Sequence, residues 1–192
     1  MFPNNAALLI IDVQQGFDQV AYWGGNRNNP EAEENIARLL KAWRESRRPV
    51  YFAQHCSVNP ASPLYPGQPG HEIKEIVQPL PGEPVVQKSV NSMFIGTTLD
   101  EQLRAAGIDT LVVTGLITDH CVSTTTRMAG NLGYTTYLVS DGCATFDKTS
   151  VDGTVYPAEL VHQVNLTSLH EEFATVLTTE QVLAGVSEVA GS

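Results

Sequence analysis

The sequence predicts an open three-layer α/β/α sandwich around a mainly parallel sheet of about six strands. Two observations carry this. Short β-branched and aliphatic runs recur along the chain, and stretches of helical period separate them. The resulting order, β-α-β-loop-β-α-β-α-β-α-β-α, needs crossover helices on both faces of a parallel sheet.

Ala6 to Val13 (AALLIIDV) reads as the first buried strand and delivers Asp12 at its carboxyl end. A polar loop follows, with Gly24-Gly25-Asn26 and Asn28-Asn29-Pro30. Glu31 to Arg47 reads as a helix, because Ile36, Leu39, Leu40 and Trp43 recur at helical spacing. Pro49 restarts the chain, and Val50 to Ala53 reads as a second strand ending near His55 and Cys56. Residues 57–84 differ in kind, holding seven of the eleven prolines with little periodicity. So long an irregular segment in a compact domain reads as a lid or binding loop.

Val85-Val86-Gln87 reads as a short strand leading to Lys88, and Thr97 to Ala106 as a helix stopped by Gly107. The centre of the chain is Thr110 to Gly133. Leu111, Val112 and Val113 form a buried strand that Gly115 ends, and a helix then runs to Gly133. With Thr118 as N-cap, Asp119, His120 and Cys121 occupy the first helical turn. Unpaired N–H groups and the helix dipole there favour a Cys121 thiolate, the nucleophilic form. A buried structural cysteine is the equal alternative on this stretch alone. Thr135 to Val139 reads as a strand closed by Ser140-Asp141-Gly142. Ala158 to Leu169 reads as a helix, and Ala174 to Leu177 as the last strand.

The 192 residues fit one domain, 1–192, with a sizeable core. The formal net charge of −10 argues against nucleic acid or an anionic membrane surface as main partner. No stretch approaches the roughly 18 apolar residues of a membrane helix. The N-terminus has no basic leader, and the three widely spaced cysteines form no disulfide framework. A soluble, cytoplasmic protein is expected.

Asp12, Lys88 and Cys121 all follow carboxyl ends of strands, the edge where open α/β sheets bind ligands. Their chemistry is complementary. Cys121 would attack a carbonyl, Asp12 would take the thiol proton and later activate water, and Lys88 would hold Asp12 ionised. Asp12 as a turn cap and Lys88 as a solvated surface group are the plain alternatives. His120 is poorly placed as the base, because neighbours on a helix diverge by about 100°.

Three segments resemble the isochorismatase-like cysteine hydrolases: Ile10-Ile11-Asp12-Val13-Gln14 with Phe17; Lys88-Ser89 with Ser92 and Phe94; and Thr114-Gly115 with Thr118-Asp119-His120-Cys121-Val122. Asp141-Gly142-Cys143-Ala144-Thr145 is similar to that family's small-residue segment after the fifth strand. The resemblance runs from about Ala6 to Leu183. It implies an Asp–Lys–Cys triad on Asp12, Lys88 and Cys121, and a cis peptide at Leu116-Ile117. It also implies an oxyanion hole from the N–H groups of Ile117 and Cys121, and a homo-oligomer, with Tyr65, Pro66 and the long loop as interface.

Nicotinamidase-like members of the family add an Asp-x-His pair and a further His that bind a metal. Here Ala53 stands two residues before His55, where that carboxylate would be, and His71 lies in the proline-rich loop. His55, Cys56 and His71 are still ligand types. The expectation is nevertheless a hydrolase with no metal and no cofactor. It would cleave a C–N bond of a small amide, ureide or carbamoyl substrate through a thioester. Phe17, Tyr22, Trp23, Asn91 and Phe94 are the candidate substrate-binding residues. The rivals are a vinyl-ether hydrolase of isochorismatase type and a catalytically idle binding module. A nucleotide or flavin site lacks its glycine-rich fingerprint, and a redox role lacks a C-x-x-C.

Overall fold

The computed structural model describes residues 2–187; Met1 and residues 188–192 of the expected domain lie outside the described residues. Strand β1 (Ala7–Ile11) leads through a 3-10 turn (Gln15–Asp18) and the short α1 (Val20–Trp23) to α2 (Ala32–Glu45) and β2 (Val50–His55). The proline-rich segment carries two 3-10 turns, Pro69–His71 and Glu75–Val77, before β3 (Val85–Lys88). Then come α3 (Leu99–Ala105), β4 (Thr110–Leu116), α4 (Ser123–Asn131) and β5 (Thr135–Ala144). A ribbon of β6 (Lys148–Thr149) and β7 (Val155–Tyr156) precedes α5 (Ala158–Leu169), β8 (Thr175–Leu177) and α6 (Thr179–Ser187).

The sheet has six strands in the order β3-β2-β1-β4-β5-β8, and every neighbouring pair is parallel. Its two faces are set by alternation along each strand. On one side Leu8, Ile10, Phe52 and Val112 pack against Ile36, Leu39, Leu40 and Trp43 of α2 and Val182 of α6. On the other, Leu9, Ile11, Leu111 and Val113 meet Leu99 and Leu103 of α3, Ala129 of α4 and Leu169 of α5. A third cluster, with Phe17, Leu64, Leu116, Ile117 and Phe146, closes the carboxyl end of the sheet. The expected three-layer sandwich is what the chain forms.

Several boundaries differ from expectation. Strand β5 does not stop at Val139 but runs through Ser140-Asp141-Gly142 to Ala144. The register shifts between Val113 and Gly115, and pairing resumes at Gly115 with Cys143. The polar residues that read as a turn have partners within the fold. Asp141 Oδ1 accepts from the Thr179 N–H and hydroxyl at 2.7 and 2.8 Å, anchoring the start of α6. Residues 57–84 are not structureless either, since Leu64, Ile73 and Val77 are buried there. Gly70 lies so close to Gly16 that a β-carbon on it would sit 2.8 Å from the Gly16 Cα. The β6–β7 ribbon was unexpected because two residues per strand show no period.

One glycine sets the spacing of the two strands that carry the site. Gly115 has φ +129°, and a β-carbon there would fall 2.1 Å from the Ile11 carbonyl oxygen. A side chain is excluded by both conformation and space. The ends of β1 and β4 are thereby held together.

Charge ties the loops to the sandwich. The buried Glu33 carboxylate of α2 accepts two bonds from Arg27, at 2.8 and 2.5 Å, and one from Lys74 at 2.7 Å. Burial alone would raise its pKa, but the hydrogen bonds and charges of Arg27 and Lys74 overcome this and set it at about 2, below the ordinary 4.5. A carboxylate whose pKa falls on folding stabilises above its unfolded pKa, and the gain is lost as pH falls through the folded one. Here the window runs from 4.5 down to about 2, and the effect is about 3 kcal/mol. Glu33→Gln should therefore lower stability at pH 7 and flatten the stability–pH curve across that window. Urea denaturation at several pH values measures it; an unchanged acid limb would show that the cluster contributes nothing.

Candidate active site

Asp12 is the first residue beyond β1, and it adopts φ +52°, a left-handed conformation that Asp tolerates better than most residues. Lys88 ends β3, two strands away, and reaches back across β2. Its Nζ donates to Asp12 Oδ2 at 2.6 Å, with both side chains fully buried. Burial by itself would lower the Lys88 pKa; the charge of the Asp12 carboxylate beside it raises it, and the ammonium is retained. Asp12 Oδ1 is buried and has no hydrogen-bond partner that meets normal geometry. Cys121 lies beside both groups: its sulfur interacts with the Asp12 carboxylate and the Lys88 ammonium. The three residues are brought together from three distant parts of the chain.

The turn carrying Cys121 differs from expectation. Its N-cap is Ile117, not Thr118, and Thr118–Val122 form a wide turn in which the Val122 N–H donates to the Ile117 carbonyl at 3.3 Å. The Thr118 hydroxyl is engaged elsewhere, 2.8 Å from Nδ1 of the buried His162. His162 was not foreseen, because a lone His in a helical stretch carries no sequence pattern. The Leu116-Ile117 peptide is cis, as the family resemblance implied.

Cys121 is also not a resting thiolate. Burial, then the Asp12 charge, push its pKa up, and the opposing Lys88 charge is weaker. Burial and the carboxylate next door outweigh the helix terminus. The sulfur is a thiol at rest.

A cleft of about 220 Å³ opens above this set. Phe17, Tyr22, Trp23 and Asn91 line it as expected. Phe17 and Trp23 form one wall, their ring centroids 4.6 Å apart. Phe94 does not reach the cleft. It is buried in the core and stacks on Tyr134 at 5.8 Å, because the chain turns inward after Ser92. His55, Ser57, Asn59, Ser62, Leu64 and His120 complete the lining. Sequence reasoning missed the four from residues 57–64, since an irregular loop gives no rule for which side chains face in.

The metal question turns on the same geometry. Ala53 is buried in β2 and offers no ligand atom. His71 Nε2 faces Cys56 Sγ at 3.3 Å. Among the described residues, Asp12, His55 and Cys121 converge, with one donor atom of each within 4.8 Å of the others. That space already holds a cation. Lys88 Nζ bonds Asp12 Oδ2, interacts with Cys121, and lies 3.2 Å from His55 Nδ1. The donor set is occupied by the ammonium and fits a metal ion poorly.

A parallel three-layer sheet with a carboxylate, an ammonium and a thiol at its carboxyl edge is the build of a hydrolase of small molecules. Comparison with known proteins gives the family. The Isochorismatase domain model matches residues 6–181, and the chain belongs to the isochorismatase family of hydrolases. It is 50% identical to the uncharacterized isochorismatase family protein YrdC of Bacillus subtilis, over 92% of this chain and 94% of that protein. It is 33% identical to the ureidoacrylate amidohydrolase RutB of Variovorax paradoxus, over 76% of this chain and 55% of that protein. An isochorismatase-family crystal structure from Chromobacterium violaceum superposes with a TM-score of 0.93 at 45% identity, covering 98% of this chain and 96% of that one.

Proposed function

We propose that the protein is a cysteine hydrolase that cleaves a C–N bond of a small amide, ureide or carbamoyl compound through a thioester. The observation that carries this is the buried Lys88–Asp12 pair at 2.6 Å, with the second carboxylate oxygen unpartnered beside the Cys121 thiol. The thiol proton passes to Asp12 as sulfur attacks the carbonyl carbon. The N–H groups of Ile117 and Cys121 receive the developing oxyanion. As the C–N bond breaks, the departing nitrogen takes the proton from Asp12, and ammonia or an amine leaves. Asp12 then accepts a proton from water, which attacks the thioester. The acid product departs and the thiol is restored. Throughout, Lys88 keeps the carboxylate charged between transfers. The amidohydrolase relative, named for ureidoacrylate, agrees with C–N rather than vinyl-ether chemistry.

Ammonia release from a panel of amides and ureides tests the proposal, together with mass-spectrometric trapping of an acyl group on Cys121. Turnover with no acyl adduct and no dependence on Cys121 would overturn it. No Lewis acid is needed in this scheme, so activity should survive dialysis against a chelator. A fall in turnover with stoichiometric loss of zinc, iron or manganese, reversed on adding that metal back, would refute that part.

A further inference from the structure

We infer that the cleft selects a small uncharged amide or ureide and rejects anionic substrates; this rests on the cysteine-hydrolase reading for its reacting group. Among the described residues, the cleft lining contains no lysine or arginine. Each cation near it is already matched by a carboxylate. Lys88 is bound to Asp12. Lys148, on the neighbouring ribbon, lies 3.3 Å from Asp119 Oδ2. Lys74 and Arg27 share Glu33, and Lys74 also holds Asp18 at 2.5 Å. None is free to receive a substrate carboxylate.

The two histidines of the cleft do not replace them. An ammonium only donates, so the 3.2 Å contact from Lys88 Nζ makes His55 Nδ1 an acceptor and His55 a neutral ring. Its Nε2–H then remains as an uncharged donor. Burial, helped by Lys88, lowers the His55 pKa further, and burial lowers that of His120 as well. At neutral pH the cleft carries no fixed positive charge beyond a neutralised pair, inside a chain of formal net charge −10. A carboxylate entering it would lose water and gain neutral donors but no countercharge.

What the cleft does offer is neutral. Among the described residues, the Asn91 side-chain amide has no hydrogen-bond partner, while its backbone carbonyl accepts from the Thr125 hydroxyl. The Ser57 hydroxyl accepts from the Asn59 N–H at 3.2 Å and keeps its own hydrogen to donate. Phe17 and Trp23 add an aromatic wall to the same cleft. Donors and acceptors of this kind, with an aromatic face and a volume of about 220 Å³, fit a planar amide or urea group of a few heavy atoms.

Two alkylating agents with the same reacting carbon and leaving group separate charge from everything else. Iodoacetamide and iodoacetate are each reacted with the whole protein at neutral pH, and the Cys121 adduct is followed by peptide mass spectrometry. Glutathione serves as the free-thiol reference. The iodoacetamide-to-iodoacetate rate ratio at Cys121 should exceed that of glutathione at least tenfold, at low and high salt alike, because the discrimination is local. Asn91→Arg or Ser57→Arg, placing an unmatched cation in the cleft, should lower the ratio toward that of glutathione. A wild-type ratio equal to or below the reference would overturn the inference while leaving Cys121 as nucleophile. No reaction of Cys121 with either reagent would overturn the hydrolase reading, and this inference with it.

Discussion

Cys121→Ala is expected to abolish turnover, with a loss on the order of 10⁴-fold or more, while the fold survives. The loss is large because, in the proposed mechanism, the sulfur is the atom that becomes bonded to substrate, and neither neighbour can replace it. The fold survives because the side chain is small, and its removal leaves the buried Lys88–Asp12 pair intact. Alkylation gives the same answer without mutation. Limiting iodoacetamide should modify Cys121 and abolish activity in parallel. Cys143 is fully buried, with its thiol pushed up to about 12 by burial, and should stay unmodified. Cys56 is more exposed but also has its pKa raised, first by burial and then by the charge of Asp12. Since the Asp12 charge is one of the causes that hold Cys121 as a thiol, Asp12→Asn should stop catalysis without slowing alkylation. Modification confined to Cys56 with full activity would refute the assignment of the nucleophile.

Asp12→Asn and Lys88→Ala should each lower turnover by several orders of magnitude, and the double variant should be far less impaired than the product of the two losses. Residues that serve one proton-transfer unit behave in this way. Stability gives an independent readout. Removing Lys88 leaves a carboxylate with no countercharge in a fully buried site, at a cost of about 3–5 kcal/mol. Replacing both residues, as in Asp12→Asn with Lys88→Ala, removes the uncompensated charge and should recover much of that loss. Denaturation and single-turnover kinetics on the four proteins complete the cycle. Multiplicative losses in rate, or a stable and active Lys88→Ala, would mean separate roles for the two residues.

The sandwich was legible because its strands are buried on both faces. Runs such as Leu8-Leu9-Ile10-Ile11 and Leu111-Val112-Val113 have few other uses. Helix α2 was legible for the opposite reason, since only one of its faces is buried. Asp12, Lys88 and Cys121 could be placed because a strand end fixes where its next residues go. What failed depended on contacts made far along the chain. Ser140-Asp141-Gly142 reads as a turn until Thr179 arrives to satisfy Asp141. Thr118 reads as a helix cap until His162 takes its hydroxyl. The Cys121 thiol reads as acidified until the Asp12 carboxylate is placed beside it. Phe94 follows a site residue in sequence, yet its ring belongs to the core.

The contact of Gly70 with Gly16 has a consequence for how such a protein can diversify. It fastens the proline-rich segment to the turn after β1, with support from Gln14, whose side-chain amide donates to the His71 carbonyl at 2.7 Å. The cleft wall from Ser57 to Leu64 is closed on itself by the Ser57 N–H to Leu64 carbonyl bond at 3.1 Å. That wall is one uninterrupted stretch of chain, and none of the three reacting side chains lies within it. This part of the cleft lining is thus inherited apart from Asp12, Lys88 and Cys121, on its own piece of the gene. Changing those eight codons alters one wall of the cleft and leaves the codons for the sheet and for Asp12, Lys88 and Cys121 untouched.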